Sequence, residues 1–491
     1  MTNLADESVT TRSAELDVDL AVVGFGKGGK TLAATMARHG SRVAMIEQSD
    51  RMYGGTCINI GCVPTKALVH DAENGSADVP GPDRYRRAAE RTDALTTLLR
   101  GKNFAMLDTL DTVTVITGTA AFADPHTLVV TAGDDTLRVT ARTIVVNTGA
   151  DPELPPVPGL RESERVVTST QLLARTERPD ELVVLGGGYV AVEFASMHAA
   201  FGARVTLLAR GPRILRAEDD DVVATATEIL TDAGVTIRTG ATVTGVADED
   251  GVAVVSYTDQ AGGPQTVRGD TVLAALGRRP HTAGLGLDAA GIRTDARGAV
   301  VVDEHLRTTQ PHVYAVGDVN GGPQYTYVSL DDHRIVLDHL TGEGHRTTTD
   351  RRAVASALFM TPPLARVGLT EAEARASGRP LLVARRRVAD MATVPRARIV
   401  HDPRGVMKAV VDAETDQILG VTMLSHDAHE TINTVALAMR HGVTAGELRD
   451  EIYTHPSMTE ALNDLFANLR PVEDPVDDGA PGRSHGPAGT E

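Results

Sequence analysis

A strand–glycine–helix–strand unit occurs twice in this chain, and that repetition constrains the fold more than any other feature. Residues 20–23 (LAVV) form a short apolar run that enters GFGKGGK, continues through LAATMARHG and ends in a second apolar run, RVAMIE. The same plan returns from Glu181 as ELVVLGGGYVAVEFASMHAAFGARVTLLAR. A strand that feeds a helix through a glycine turn and returns to a neighbouring strand is a βαβ unit. Two copies predict an α/β chain with two Rossmann-like nucleotide-binding domains. At 491 residues the chain is also too long for one core.

In the first turn Gly24, Gly26 and Gly29 spell GxGxxG. The first glycine permits the tight turn, the second lets backbone approach a pyrophosphate, and the third lets helix pack on strand. Glu47 closes the next strand, where its carboxylate can accept hydrogen bonds from a ribose; the alternative is a solvated strand end. The second turn has Gly186, Gly188 and Ala191, a GxGxxA variant whose alanine is small enough for the same packing. Its following strand ends in Ala209, with Arg210 and Arg216 beyond, and no carboxylate in the ribose position. Arginines attract a 2′-phosphate that a carboxylate would repel, so the pattern favours NADPH, with NADH as the alternative donor.

Between and after these units the chain divides further. Residues 1–17 read as a disordered arm and 18–155 as the first part of a dinucleotide-binding domain, the one to which the resemblance described below gives FAD. The stiff connector LPPVPGL leads into a nicotinamide-binding domain over 156–280, and residues 281–350 complete the first domain as a central part. RTIVVNTGA and DTVLAALGRRP are matching strand-to-glycine elements that end at Gly149 and Gly277, which join the cofactor-binding candidates. A helix is expected over 329–340. Residues 351–470 form a separate α+β domain, with a hairpin in VMKAVVDAETDQILGVTML and helices in HETINTVALAMRHG and MTEALNDLFANL. The Pro-, Gly- and Asp-rich residues 471–491 read as a disordered tail.

The charge of -18 argues against a nucleic-acid or anionic-membrane surface. No apolar run reaches the length of about 18 residues that a bilayer span needs. The acidic, polar start is unlike a signal peptide, so a cytoplasmic location is expected.

The chain has only two cysteines, Cys57 and Cys62, both within GGTCINIGCVPTK. One helical turn through INIG brings the sulfurs together, and a helix is expected from TKALVHDA onward. A thiolate near a helix start is favoured by its dipole, and thiol exchange needs a thiolate. Two buried spectators, or half of a zinc site, are the alternatives; zinc would need further ligands, and no other cysteine exists. Lys66 stands one turn beyond Cys62, and Glu193 in the second nucleotide helix is a candidate ionic partner for it. His426 and His429 are the only hint of metal contact, and no metal site is assigned.

GGTCINIGCVPTK resembles the cysteine motif of the pyridine nucleotide-disulfide oxidoreductases, the class of glutathione reductase, dihydrolipoamide dehydrogenase and mercuric reductase. The resemblance runs over residues 18–468 and implies FAD on the first turn and a nicotinamide dinucleotide on the second. It implies that Gly55, Thr56 and Lys66 border the flavin, and that Asp318 in VYAVGDV meets its ribityl or phosphate region. It implies a Cys57–Cys62 redox disulfide, with Cys62 beside the flavin and Cys57 as the outer, attacking sulfur. It also implies a homodimer in which His455 of THPSMTEAL comes from the partner subunit as acid and base, its tautomer held by Glu460.

Within the family, YGGTCINIGC, KNF (102–104), YVSLDDHRIV with Tyr327, Asp331 and Asp332, FMTPPLARVG and THPSMTEALNDLF resemble the bacterial reactive chlorine resistance subgroup. That likeness implies a small oxidant, hypothiocyanous acid, as electron acceptor, with copper(II) as a further acceptor. A small disulfide, as in glutathione or lipoamide reduction, is the alternative, and a non-catalytic flavin sensor a distant one. Ala209 departs from an acidic residue found in that subgroup, which bears on the choice between NADPH and NADH.

Overall fold

The computed structural model describes residues 13–76 and 78–472. The chain forms two compact units, one running to Arg352 and including Leu358–Thr361, the other comprising Ala353–Ala357 and the chain from Pro362 onward.

In the first unit the strand Ser13–Val23 lies between Val43–Glu47 and Asp135–Val146 in a sheet whose order continues to Val113–Thr117 on one side and Thr127–Ala132 and Thr119–Asp124 on the other. The strands that carry the first βαβ unit pair in parallel, as a right-handed crossover requires. Val313–Ala315 adds alongside Asp135–Val146, also in parallel. Successive residues of the first strand feed opposite cores: Leu20 and Val22 pack with Leu32 and Ala33 of the helix Lys27–Arg38, while Ala21 and Val23 pack with Ile144 and Val146 on the other face. Two buried faces explain why LAVV is apolar throughout instead of alternating.

The second βαβ unit builds a five-stranded parallel sheet in the order Val235–Thr239, Arg204–Ala209, Glu181–Leu185, Thr271–Ala274 and Val166–Val167, with Tyr189–Ala200 as its crossover helix. A separate three-stranded antiparallel sheet, Thr242–Glu249, Val252–Thr258 and Pro264–Gly269, lies in the chain between Val235–Thr239 and Thr271–Ala274. Ala150–Pro152 pairs antiparallel with Arg278–Pro280, just beyond the two glycines Gly149 and Gly277.

Some expectations need correction or extension. Residues 13–17 are not part of an arm: they pair in register with Thr136–Thr140, so backbone hydrogen bonding orders them despite their polar sequence. The helix at the cysteines starts at Cys62, ahead of Pro64, because a proline in the first turn lacks only an N–H that would have no helical partner. The long helix Gly81–Asp108 was not expected at all. The helix expected over 329–340 is Thr326–Thr341. The remainder of the arm and the tail beyond Val472 lie outside the described residues.

The second unit is the expected α+β arrangement. Val406–Asp412 and Ile418–Leu424 form the hairpin, flanked by Leu364–Gly368 and by Leu381–Arg387 with Arg470–Pro471. Ala428–Arg440 and Ala461–Ala467 cover it, burying Ile432, Val435, Leu462 and Leu465 in one core with Val421 and Met423. Pro471, assigned to the tail, instead completes the sheet edge against Leu382. Among the described residues no helix is long and apolar enough to cross a membrane.

Candidate active site

The first glycine turn is built against one side chain that sequence reading did not single out. Asn147 is 5% exposed; its Oδ1 accepts from Gly29 N at 2.9 Å and its Nδ2 donates to Val316 O at 2.7 Å. A Cβ on Gly24 would stand 2.4 Å from Asn147 O, and one on Gly26 2.5 Å from Asn147 Oδ1. Both are closer than real Cβ contacts, so the glycines are required here by space. Glu47 is buried, accepting from Phe25 N at 2.9 Å, and burial pushes its carboxyl up. Gly55 packs on this turn, since a Cβ there would lie 2.7 Å from Gly26 Cα. Gly149, by contrast, has only Thr56 Oγ1 nearby, at 3.8 Å.

Asp318 is the second residue of a short turn, Gly317–Asn320, and burial likewise raises its carboxyl. The turn is fixed from behind: Gly317 N donates to Asp332 Oδ2 at 2.6 Å, and Arg351 holds both Asp332 and Asp331. Thus Gly24, Gly26, Gly29, Glu47, Gly55, Thr56, Gly149 and Asp318 belong to one unit of the fold. Glycines that exclude side chains, the open ground at Gly149 and the buried carboxylates of Glu47 and Asp318 fit a flavin dinucleotide.

Cys57 lies in the short helix Gly55–Asn59, and Cys62 is the first residue of Cys62–Asn74. They are present as thiols, hydrogen-bonded to one another. The bond acts oppositely on the pair. Cys57, donating to Cys62 and half-buried, is pushed well above the ordinary thiol range. Cys62, receiving that bond, is drawn down to about 6 against the opposing effect of burial, helped by the Thr326 hydroxyl at 3.7 Å and by Lys66. Its place at the head of a helix adds a favourable dipole.

Lys66 and Glu193 form the expected ion pair at 2.7 Å. Glu193 Oε2 also accepts from Phe359 N at 3.3 Å, and the ammonium stands 4.7 Å from the centre of the Phe359 ring. The pair therefore ties the cysteine-bearing helix to the crossover helix of the second βαβ unit.

In the second turn a Cβ on Gly186 would lie 2.3 Å from Ala275 O, whereas Gly188 has nothing within 4 Å. The sharp bend is thus at Gly186 and the approachable backbone at Gly188, with Ala191 fully buried below. Ala209 is buried; Arg210 and Arg216 are exposed and, among the described residues, have no acidic partner. Arg213, which sequence reading passed over, is instead taken up by Asp220. Gly277 adopts φ 133°, with Glu153 Oε2 3.5 Å from where its Cβ would be.

The second unit holds His455 and Glu460. His455 is 66% exposed, and its Nδ1 lies 2.8 Å from Glu460 Oε2. Glu460 Oε1 accepts from Ser457 N at 3.0 Å, which fixes the carboxylate. An Nδ1–H held by a carboxylate leaves Nε2 directed outward as a proton acceptor. His426 and His429 stand near their chain neighbours Asp427 and Glu430, at 3.3 and 3.7 Å. Among the described residues no group of three or more His, Cys, Asp or Glu side chains could hold a metal ion.

The chain matches the family model described as pyridine nucleotide-disulphide oxidoreductase over residues 18–332, and the family's dimerisation domain over 354–466. It is 47% identical over 449 residues to the probable pyridine nucleotide-disulfide oxidoreductase RclA of Escherichia coli, covering 91% of this chain and 98% of that one. It is 33% identical to a mercuric reductase of Staphylococcus aureus (91% and 81% covered) and 34% identical to a dihydrolipoyl dehydrogenase of Mycobacterium bovis (92% and 98%). A solved structure of HOCl-induced flavoprotein disulfide reductase RclA from Escherichia coli, as its Cu(II) complex, superposes with a TM-score of 0.87 at 46% identity, covering 92% of this chain and 99% of that one. These relatives are flavoprotein disulfide oxidoreductases, and the family uses FAD with NAD(P)H. The chain belongs to the pyridine nucleotide-disulfide oxidoreductase family.

Proposed function

We propose that this enzyme uses NADPH to reduce a small oxidant, hypothiocyanous acid, through Cys57 and Cys62. The observation that carries the reading is the cysteine pair at a helix start: Cys62 opens the helix Cys62–Asn74 with the Lys66–Glu193 ion pair one turn on, and Cys57 stands in the short helix just before it. In this reading FAD supplies the two-electron relay between the nicotinamide and the Cys57–Cys62 disulfide. Cys62, with Lys66 one turn behind it, is the flavin-side sulfur. Cys57 is the outer one, and the partner subunit's His455 takes its proton, steadied by that subunit's Glu460.

The acceptor chemistry balances on this pair. The Cys57 thiolate attacks the electrophilic sulfur of hypothiocyanous acid; hydroxide leaves, takes a proton and becomes water, and a Cys57 sulfenyl thiocyanate, with a new sulfur–sulfur bond to the SCN group, remains. The Cys62 thiolate then attacks Cys57 sulfur, forming the disulfide and releasing thiocyanate. The dithiol is oxidised by two electrons and the oxidant reduced by two. A single small nucleophile is sufficient, so no large peptide groove is needed.

Exposed Arg210 and Arg216 beyond buried Ala209 support NADPH over NADH, because they can pair with a 2′-phosphate. The flavin domain is assigned to 18–155 with 281–350, the nicotinamide domain to 156–280 and the interface domain to 351–470. The enzyme is read as a cytoplasmic homodimer, each site completed by the other subunit. Copper(II) reduction is a second reading, supported by solved Cu(II) complexes of a relative 46% identical to this chain.

The test is NADPH consumption by FAD-loaded enzyme offered hypothiocyanous acid, oxidised glutathione, lipoamide or copper(II) separately, beside a Cys57→Ser control. Fast, Cys57-dependent turnover with hypothiocyanous acid alone supports the assignment. Fast turnover with glutathione or lipoamide instead overturns the substrate while leaving the thiol chemistry in place.

A further inference from the structure

Lys30 is the one buried lysine of the first glycine-turn helix, at 4% exposure, and the chemistry above gives it no role. Its Nζ donates to Gly54 O at 3.2 Å and to Asn103 Oδ1. Gly54 caps the short helix that carries Cys57, and Asn103 sits against Gly54 from the long helix Gly81–Asp108 while donating to Leu99 O at 2.7 Å. Both acceptors are neutral. Among the described residues no carboxylate pairs with Lys30, in contrast to Lys66, which has Glu193. An ammonium has three donors, and two are accounted for here. A buried cation without an anion is expensive to keep, and an anion forming nearby would repay part of that cost.

We propose that Lys30 is a positioning residue for Cys57: its ammonium braces the cysteine segment through Gly54 and supplies the positive field in which the Cys57 thiolate forms. This rests on the reading of Cys57 as the attacking thiol. The groups that bear on Cys57 are Cys62, which opposes its ionisation, and Thr326 and Lys30, which favour it. Lys30 in turn is lowered to about 8, first by burial and then by repulsion from Lys27, while Cys57 favours its charged form. The ammonium is therefore present at neutral pH, and its field fades as pH rises through about 8.

The test measures thiol reactivity, so it is independent of which oxidant the enzyme reduces. FAD-loaded enzyme reduced with dithiothreitol is treated with iodoacetamide across pH, and alkylation at Cys57 and Cys62 is followed separately by peptide mass spectrometry. Lys30→Met is expected to slow Cys57 alkylation about tenfold at neutral pH, the fall in thiolate fraction that accompanies a one-unit rise in pKa. Above the Lys30 titration the wild-type and variant rates converge. Lys30→Arg, which keeps the charge, stays within about threefold of wild type, less than half a unit in pKa. Asn103→Asp leaves Lys30 in place but gives it a counter-ion, and slows Cys57 in the same direction. If Lys30→Met does not fold, Asn103→Asp decides. A Cys57 profile that Asn103→Asp leaves unchanged overturns the proposal, as does an unchanged profile in folded Lys30→Met.

Discussion

Removing the Asn147 side chain should loosen the first glycine turn. Asn147→Ala leaves the Gly29 N–H and the Val316 carbonyl without the partners they have at 2.9 and 2.7 Å. Gly29 lies in the first turn of the helix Lys27–Arg38, whose cap residue Gly26 has no side chain to offer, so Asn147 does the capping from the adjoining strand end. Each buried group left unpaired costs about 1–3 kcal/mol, so the pair is worth about 2–6 kcal/mol. That is a large share of the roughly 5–15 kcal/mol that holds a typical domain together. The assay is urea unfolding of FAD-free protein, together with hydrogen exchange at the Gly29 amide and the rate of FAD release. The variant should unfold at lower urea, lose protection at Gly29 and release FAD faster. Asn147→Asp should retain the Gly29 bond but place an oxygen against Val316 O; protonation lets it donate, so the variant regains stability as pH falls. A loss below about 0.5 kcal/mol in Asn147→Ala, the scatter of ordinary surface substitutions, with Gly29 still protected, would refute the reasoning.

The remaining predictions concern the thiols and their partners. In reduced enzyme, alkylation of Cys62 should rise with pH through about 6, well before an ordinary thiol of about 8.5, whereas Cys57 lags; coincident profiles would deny the polarisation. Glu193→Gln removes the anion that opposes Cys62 ionisation and frees Lys66, so the Cys62 profile should shift to lower pH; an upward shift would contradict the geometry. His455→Ala should slow oxidant turnover by about 10²–10⁴, the usual worth of a positioned acid–base, with little change in NADPH reduction of the bound FAD. Glu460→Gln should cost less, because an amide oxygen can still accept from Nδ1–H. Arg210→Ala with Arg216→Ala should raise the KM for NADPH and leave that for NADH nearly unchanged; equal effects on both would remove the 2′-phosphate argument.

The parts of this fold that could be read from sequence are those written in local periodicity. The two βαβ units are marked by apolar runs around a glycine turn, the 406–424 hairpin by two apolar runs around a polar loop, and the helix near 428–440 by its apolar stripe. The helix Gly81–Asp108 escaped because it buries mainly small or polar residues, among them Ala88, Ala89, Thr92 and Thr96, and shows almost no apolar stripe. Asn147 escaped for a different reason. Its meaning comes from backbone 118 and 169 residues away, and nothing in NTGA itself announces those partners. Lys30 reads in sequence as one more solvated charge on a helix; only the closure of Gly54 and Asn103 over it makes it a buried cation. Lys66 and Glu193 were legible as a pair because both lie in recognisable motifs, although 127 residues separate them.

The order of the two cysteines in the chain has a physical consequence under the proposed function. Cys62 begins the helix that continues to Asn74 and has Lys66 four residues on, so two features of its own helix favour the thiolate. Cys57 lies in a helix of only five residues, too short to offer a comparable dipole, and it spends its proton on Cys62. Without further help the pair would stall after reduction, with charge resting on the flavin-side sulfur and the outer sulfur protonated. Attack on an oxidant therefore requires a base for Cys57 and an environment that tolerates its thiolate. In the proposed reading the partner subunit's His455 would supply the first, and Lys30, buried behind Gly54, the second. Directionality then follows from separation of tasks: the helix holds the resting charge on one sulfur, while acid–base and field effects act on the other only when an oxidant arrives.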